Sequence, residues 1–291
     1  MDLTTVTAYR AARTRADLAL APGERILGGG TWLYSEPQPE TTGLVDLTTM
    51  GWRPIEELEA PDGGIRIAAT CTIAELTRYR GHRHPWRAAP LFTQSAHALL
   101  ASFKVWNVAT VGGNICRAFA AGAMVSLCTA LDGVAEIWTP SGDAYRIAVA
   151  DLVTGNGTTS LGPGEVLRAV ELPARALRAR TALRKIALAE LGRSGAVVIG
   201  RVDEDGAVVF SITAATQRPS ILRYPYMPDA AALRADIDRL AGYYTDPLGT
   251  ADWRRQVAGV LAEEIRDELT RDEPTENQPA ENDPAENEPA A

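Results

Sequence analysis

The sequence predicts an α+β protein made of a larger, strand-rich unit and a smaller unit of sheet and helices. Three observations carry this prediction. Short apolar segments alternate with turn residues up to about residue 175, a run of longer strands follows, and amphipathic helices close the folded part of the chain. With 46% apolar composition over 291 residues, the chain has ample material for a packed core.

Turn residues bound each segment expected in the larger unit. Thr72 and Glu75 have the spacing of a capping box, in which each side chain satisfies a backbone donor at the start of a helix. Pro140–Asp143 lies between two apolar runs and predicts a hairpin turn. The predicted strands are 24–27, 43–47, 64–68, 134–139, 144–149 and 165–172, and the predicted helices are a short one from 72, one over 89–103 and one near 125–131.

The smaller unit begins after Pro173 and runs to about residue 271. Strands are predicted at 182–190, 196–202 and 207–215, with a turn at 203–206. Two helices follow, and the last begins near Asp252 with Thr250 or Asp252 as its cap. Its predicted apolar stripe comprises Trp253, Val257, Val260, Leu261 and Ile265.

The net charge of -8 is concentrated at the carboxyl end of the chain. Residues 272–291 hold seven acidic residues and no basic one, which leaves 30 acidic against 29 basic residues before them. A nearly neutral body argues against nucleic-acid binding. The tail repeats Pro-x-Glu-Asn and has no large apolar residue, so we expect 272–291 to be a disordered, solvated acidic tail.

The three cysteines form neither an even set nor a CxxC pair, and the chain starts without the apolar run of a signal peptide. We therefore expect a reducing, cytoplasmic setting without a membrane span. Cys71 and Cys128 are expected in the core, and Cys116 in small apolar packing. His82 and His84 flank an arginine in a loop without carboxylates at helical spacing, so no metal site is expected.

Two glycine-rich segments are the candidate binding elements. ILGGGTWL (26–33) follows a predicted strand, and VWNVATVGGNIC (105–116) breaks an apolar run with Gly112, Gly113 and Asn114. Glycine lets a backbone approach a ligand, and successive free amides form an anion site for phosphate oxygens. Neither segment contains a basic residue or fits a dinucleotide fingerprint or a P-loop. Two readings stay open from these residues alone: ordinary tight turns, or two halves of one diphosphate site.

The two segments also carry a family resemblance. ILGGGTWL resembles the AGGT loop of the FAD-binding subunits of molybdenum hydroxylases, the xanthine dehydrogenase and aerobic carbon monoxide dehydrogenase flavoproteins. VWNVATVGGNI resembles their R-N-x-A-T-x-G-G-N-[IL] segment. Further similar segments follow in matching order, namely LGPGEVLRAVEL (161–172), LRKIALAE (183–190) and GTADWRRQVAGVLAEEIRDEL (249–269).

The resemblance implies a fold of two FAD-binding subdomains of the vanillyl-alcohol-oxidase (PCMH) type, followed by a small α+β C-terminal domain. The implied bounds are 1–175 for the FAD-binding domain, with subdomains at about 1–58 and 59–175, and 176–271 for the C-terminal domain. The FAD diphosphate is implied to lie between the two loops. The implied FAD-binding residues are Gly28, Gly29, Gly30, Thr31, Trp32, Thr110, Val111, Gly112, Gly113 and Asn114.

The resemblance also implies a role inside a heterotrimeric complex. The partners would be a [2Fe–2S] subunit and a molybdopterin subunit, and electrons would pass from iron–sulfur centres through FAD to NAD, oxygen or quinone. Lys185 would lie near the isoalloxazine, or else face solvent as an ordinary strand residue. Trp32 and Ala123 stand where the family has a small polar or acidic residue and an aspartate. Two alternatives stay open: a scaffold subunit without FAD, and a stand-alone FAD oxidoreductase.

Overall fold

The computed structural model describes residues 3–59, 63–81 and 86–271. The predicted disordered tail at 272–291 and the His82–His84 loop lie outside the described residues. Across the part of the chain that is described, no helix is both long and apolar enough to cross a membrane.

A small parallel sheet opens the chain. Its strands are β1 (Ala8–Ala11), β2 (Glu24–Leu27) and β3 (Gly43–Asp46), in the order β1-β3-β2. Short 3-10 helices at Arg15–Leu18 and Leu47–Met50 connect or follow them. Because the strands are parallel, the glycine segment after β2 and the turn after β3 leave the sheet at the same edge.

A five-stranded antiparallel sheet comes next, and its edge-to-edge order is β4-β5-β10-β6-β7. Its strands are β4 (Ile55–Glu57), β5 (Gly64–Ala68), β6 (Val134–Trp138), β7 (Ala144–Ala148) and β10 (Val166–Pro173). The central strand β10 pairs with β5 and β6 on its two sides, and its register shifts between Leu167 and Ala169. The predicted hairpin of β6 and β7 is confirmed, with the register Val134 opposite Ala148.

Among the residues described between β5 and β6 there are five helices, and shorter elements complete this half of the chain. The helices are α1 (Ile73–Arg78), α2 (Pro90–Ala98), α3 (Phe103–Trp106), α4 (Val111–Arg117) and α5 (Ala123–Ala130). The later elements are α6 (Val149–Leu152), the hairpin of β8 (Val153–Gly155) and β9 (Thr158–Thr159), and α7 (Ala174–Arg178). The predicted capping box of α1 is confirmed, since Glu75 donates its amide to Thr72 and accepts from the Thr72 amide.

A four-stranded antiparallel sheet and two helices form the rest of the described chain. The elements are β11 (Arg180–Ile186), β12 (Ala196–Val202), β13 (Val208–Thr213), β14 (Ser220–Tyr224), α8 (Ala230–Arg239) and α9 (Ala251–Arg271). Successive residues of β12 point to opposite faces: Val197 and Ile199 join the larger core, whereas Val198 joins the core beneath α8 and α9. Both cores therefore share this sheet. The domain boundary near residue 175 stays a prediction.

Two sequence predictions differ from the structure in the helices. The helix expected over 89–103 ends at Ala98, and a separate turn of helix begins at Phe103. Val260, assigned to the buried stripe of the last helix, is 47% exposed, whereas Arg254 on the same helix is fully buried. Arg254 donates to the carbonyls of Gly195 and Ala214, so its charged head is satisfied inside the core.

Candidate functional site

The first glycine segment leaves β2 and forms an open loop. None of the backbone amides from Gly28 to Trp32 donates a hydrogen bond to another described residue. The Gly30 carbonyl accepts from Tyr34 and the Trp32 carbonyl accepts from Ser35, which shapes the turn without using those amides. The loop thus presents successive unpaired donors, which is the arrangement that binds an anion.

The second glycine segment enters helix α4 at Val111, so the expectation of a loop at Gly112–Asn114 was wrong. Thr110 is the N-cap of α4, and its hydroxyl accepts from the Gly113 amide at 3.0 Å. The amides of Val111 and Gly112 donate to the carbonyls of Cys71 and Ala69. Asn114 donates its amide to Thr110. The four amides that follow Thr110 are therefore bonded within the protein, unlike those of the first segment.

The structure brings the two glycine segments into contact. A Cβ on Gly29 would lie 1.9 Å from the Val108 carbonyl oxygen, and a Cβ on Gly28 would lie 3.1 Å from the Thr110 hydroxyl. Only glycine allows the backbones to approach this closely at Gly29. The two segments, far apart in sequence, thus form neighbouring walls of one site.

Glycine and asparagine have structural roles in the second wall. Gly112 is buried against Ala69, where a Cβ would lie 2.5 Å from the Ala69 Cβ. Asn114 accepts from the Met124 amide at 2.9 Å and so caps the first turn of α5. Gly113 is exposed and leaves the face of α4 without a side chain at that point.

An aromatic and cationic cluster borders the first wall. The Trp32 ring meets the Phe119 ring edge-on, with 4.6 Å between centroids. The Arg117 guanidinium lies 4.9 Å from the Trp32 centroid and 4.1 Å from the Phe119 centroid. The sequence did not point to Arg117 or Phe119, because they lie outside both glycine segments and reach Trp32 only through the fold.

Cys116 lies on the exposed face of α4, one turn after Gly113. Its assignment to small apolar packing was wrong, whereas Cys71 and Cys128 are buried as predicted. The Cys116 side chain is accessible, yet the protein around it raises the pKa of its thiol to about 12 by desolvation.

Lys185 lies on β11 and donates from Nζ to the His97 carbonyl at 2.8 Å. Ser194 on the following loop donates to the neighbouring Ala98 carbonyl. Lys185 therefore joins the end of α2 to the four-stranded sheet that contains β11, while the Lys185 side chain stays exposed.

Other candidate sites in the described chain have different chemistry. No group of three His, Cys, Asp or Glu side chains within the described residues could hold a metal ion. A surface cavity of about 420 Å³ lies in the second half of the chain, lined by Arg175, Arg201, Asp203 and Arg223 among others. Its arginines already form ion pairs with Asp132 or Asp203, so these charges have structural partners. No residue of the glycine segments lines this cavity.

Residues 4–175 match the family described as the FAD binding domain in molybdopterin dehydrogenase. The chain belongs to this family. FAD is accordingly the cofactor, and the predictions of family, FAD and a PCMH-type α+β fold are confirmed.

One relative resembles the chain in sequence, and two solved structures resemble it in fold. This FAD-binding protein is 28% identical over 176 residues to the xanthine dehydrogenase FAD-binding subunit of Escherichia coli O157:H7. The match covers 57% of this chain and 57% of that relative, so the chain spans little more than half the length of the relative.

The structural likeness extends over nearly the whole chain. Quinoline 2-oxidoreductase from Pseudomonas putida 86 aligns at 19% identity with a TM-score of 0.77, covering 93% of this chain and 99% of that one. Reconstituted CO dehydrogenase from Oligotropha carboxidovorans aligns at 21% identity with a TM-score of 0.77, covering 92% and 98%. At these identities the alignments establish that this FAD-binding protein shares their fold.

Proposed function

We propose that this FAD-binding protein is the electron-transferring flavin subunit of a molybdenum hydroxylase complex. When bound, FAD would supply the redox chemistry between a [2Fe–2S] partner subunit and an acceptor, which would be NAD, oxygen or quinone. The molybdopterin partner subunit would carry the substrate chemistry. The observation that carries this proposal is the contact between Gly29 and Val108, which places an unpaired amide row beside α4 in a chain of the FAD-binding family.

The residues of both walls fit the cofactor, with unequal roles. The amides of Gly28, Gly29, Gly30, Thr31 and Trp32 would hold the diphosphate, with the exposed Thr31 hydroxyl as a further donor. Thr110, Val111, Gly112, Gly113 and Asn114 would form the opposite wall, where the exposed Gly113 permits close approach. The backbone amides of that wall already donate hydrogen bonds within the protein. This wall would therefore position FAD more than hydrogen-bond to it.

Ala123 and Lys185 relate to the family pattern in different ways. Ala123 is buried at the start of α5 and offers no acceptor where the resemblance implies an aspartate, so other groups must hold that part of FAD. The placement of Lys185 near the flavin ring stays a prediction. Its bond to the His97 carbonyl gives it a structural role in either case.

The proposal is tested on the complex as it forms in the source cells. A tagged full-length chain is purified, and its visible spectrum is recorded together with iron, acid-labile sulfide and molybdenum content. We expect oxidised flavin bands, and iron and molybdenum in fixed proportion to flavin. Flavin without either metal, with turnover by the chain alone, would instead establish the stand-alone oxidoreductase. A preparation that carries both metals but releases no flavin when it is denatured would establish the scaffold subunit.

A further inference from the structure

Arg117 is a cation without a described salt bridge in the candidate site. It is partly buried at the end of α4, and within the described residues it makes neither a salt bridge nor a hydrogen bond. Its Nε is buried and lacks a partner. Desolvation lowers the pKa of Arg117, and the charge of Glu36 opposes this shift. A partly buried charge without a hydrogen-bond partner destabilises the folded protein unless a ligand pairs with it.

The guanidinium is nonetheless held in place. Trp32 and Phe119 present their rings at 4.9 and 4.1 Å, and Gly157 lies close enough that its Cβ would meet Nη1 at 3.7 Å. Cation–π contacts of this kind orient a guanidinium while leaving its N–H groups free. Arg117 is thus positioned by apolar surfaces rather than by an acidic partner.

A second cation lies beside the Phe119 ring. The Arg193 guanidinium is 5.7 Å from the Phe119 centroid, and Arg193 also has no salt bridge among the described residues. Two like charges beside one ring repel each other unless an anion lies between or near them. Trp32 links this cluster directly to the unpaired amides, because it is the last residue of that row.

We infer that Arg117, with Arg193 as the second cation, binds the diphosphate of FAD at the end of the Gly28–Trp32 amide row. This inference rests on the proposed position of FAD between the two glycine segments. The two glycine segments contain no basic side chain. The positive charge that pairs with the diphosphate would therefore come from residues outside both segments. A guanidinium suits this task because it donates two parallel hydrogen bonds to phosphate oxygens.

The test measures FAD affinity of the full-length chain freed of flavin, by titration at low and high KCl. For Arg117→Met we expect affinity to fall about tenfold to a hundredfold, the loss typical of a hydrogen bond to a charged group. Arg117→Lys keeps the charge without the planar fork, so we expect a smaller loss. The matched control is Arg25→Met, which removes an exposed arginine on β2 without a described ion pair and should leave affinity unchanged.

A second readout needs no variant. Charge recognition makes the FAD affinity of the unaltered chain fall as KCl rises, and Arg117→Met should flatten this dependence. Equal affinity and equal salt dependence in the unaltered chain and Arg117→Met would overturn the inference while leaving FAD binding intact. Salt-independent affinity in the unaltered chain would overturn it too, even if Arg117→Met did not fold. An unaltered chain that takes up no FAD at all would instead contradict the proposed function.

Discussion

At the scale of single residues, glycine at position 29 is the most constrained choice in the site. Its missing side chain allows the Val108 carbonyl to occupy the space that a Cβ would take, 1.9 Å away. The atom in conflict belongs to the backbone, so it cannot move aside by rotating a side chain.

We predict that Gly29→Ala destabilises the protein by about 3 kcal/mol and sharply lowers FAD affinity, because the two walls must separate. Urea denaturation of the flavin-free chain and FAD titration measure the two effects. The control is Gly51→Ala, where a Cβ meets nothing within 4 Å and the cost is confined to the left-handed backbone at φ 67°. That cost is about 1 kcal/mol, with FAD affinity unchanged. Equal effects of the two substitutions would show that the close approach at Gly29 is unimportant.

At the scale of secondary-structure elements, α4 and α5 are joined by a side-chain cap. The Asn114 carbonyl oxygen accepts from the Met124 amide, so a residue predicted to touch FAD also organises the next helix. The two roles make opposite demands on an aspartate at this position, since a carboxylate caps a helix well but repels a diphosphate.

We therefore predict that Asn114→Ala lowers stability by about 1 kcal/mol, whereas Asn114→Asp keeps the stability of the unaltered chain. Thermal denaturation of the flavin-free proteins measures both. If Asn114 also contacts the diphosphate, Asn114→Asp folds normally but binds FAD poorly. Equal losses of stability in both variants would contradict the capping role.

Predictability from sequence differs from element to element for physical reasons. The strands at Glu24–Leu27 and Gly64–Ala68 match their predicted bounds, because alternation and flanking turn residues are local signals. Helix α4 was hidden because two successive glycines have poor helix propensity. What stabilises it is tertiary: the Gly112 amide reaches the Ala69 carbonyl, and its bare Cα packs there.

The site was likewise predictable only in part. The glycine segments could be found from local composition, but their contact was implied by the family resemblance alone. No local sequence pattern marked Arg117 and Phe119, because they belong to the site only through their contacts with Trp32, which is distant in the chain. Arg254 was missed for a similar reason: its carbonyl partners lie in separate loops that the sequence does not mark.

At the scale of the whole molecule, Asp132 joins the two cores. It follows α5 with φ 52° and pairs with Arg201 and Arg223 of the third sheet and with Arg175 before it. Arg201 is 1% exposed. Desolvation raises the pKa of Asp132, but the arginines outweigh it and bring the pKa to about 2.

We predict that Asp132→Asn costs about 3 kcal/mol, because it leaves the buried Arg201 charge short of a partner. The folded-state pKa lies below the ordinary value of 3.8, so the ionised Asp132 stabilises the fold above about pH 4 and this contribution disappears as pH falls toward 2. Denaturation over that pH range measures it, and the variant should lack this part of the acid sensitivity. The control is Asp252→Asn, whose side chain is 92% exposed. It should change stability by less than about 0.5 kcal/mol, and an equal response of both variants would contradict the prediction.

The contact between Gly29 and Val108 affects how much of this protein a cell retains. A pocket formed by remote segments exists in the native chain and is absent from the unfolded one, so its ligand shifts the folding equilibrium by mass action. At a free FAD concentration one hundred times the dissociation constant, this shift is worth about 2.7 kcal/mol. Riboflavin starvation should therefore shorten the lifetime of the polypeptide against proteases while its rate of synthesis stays the same.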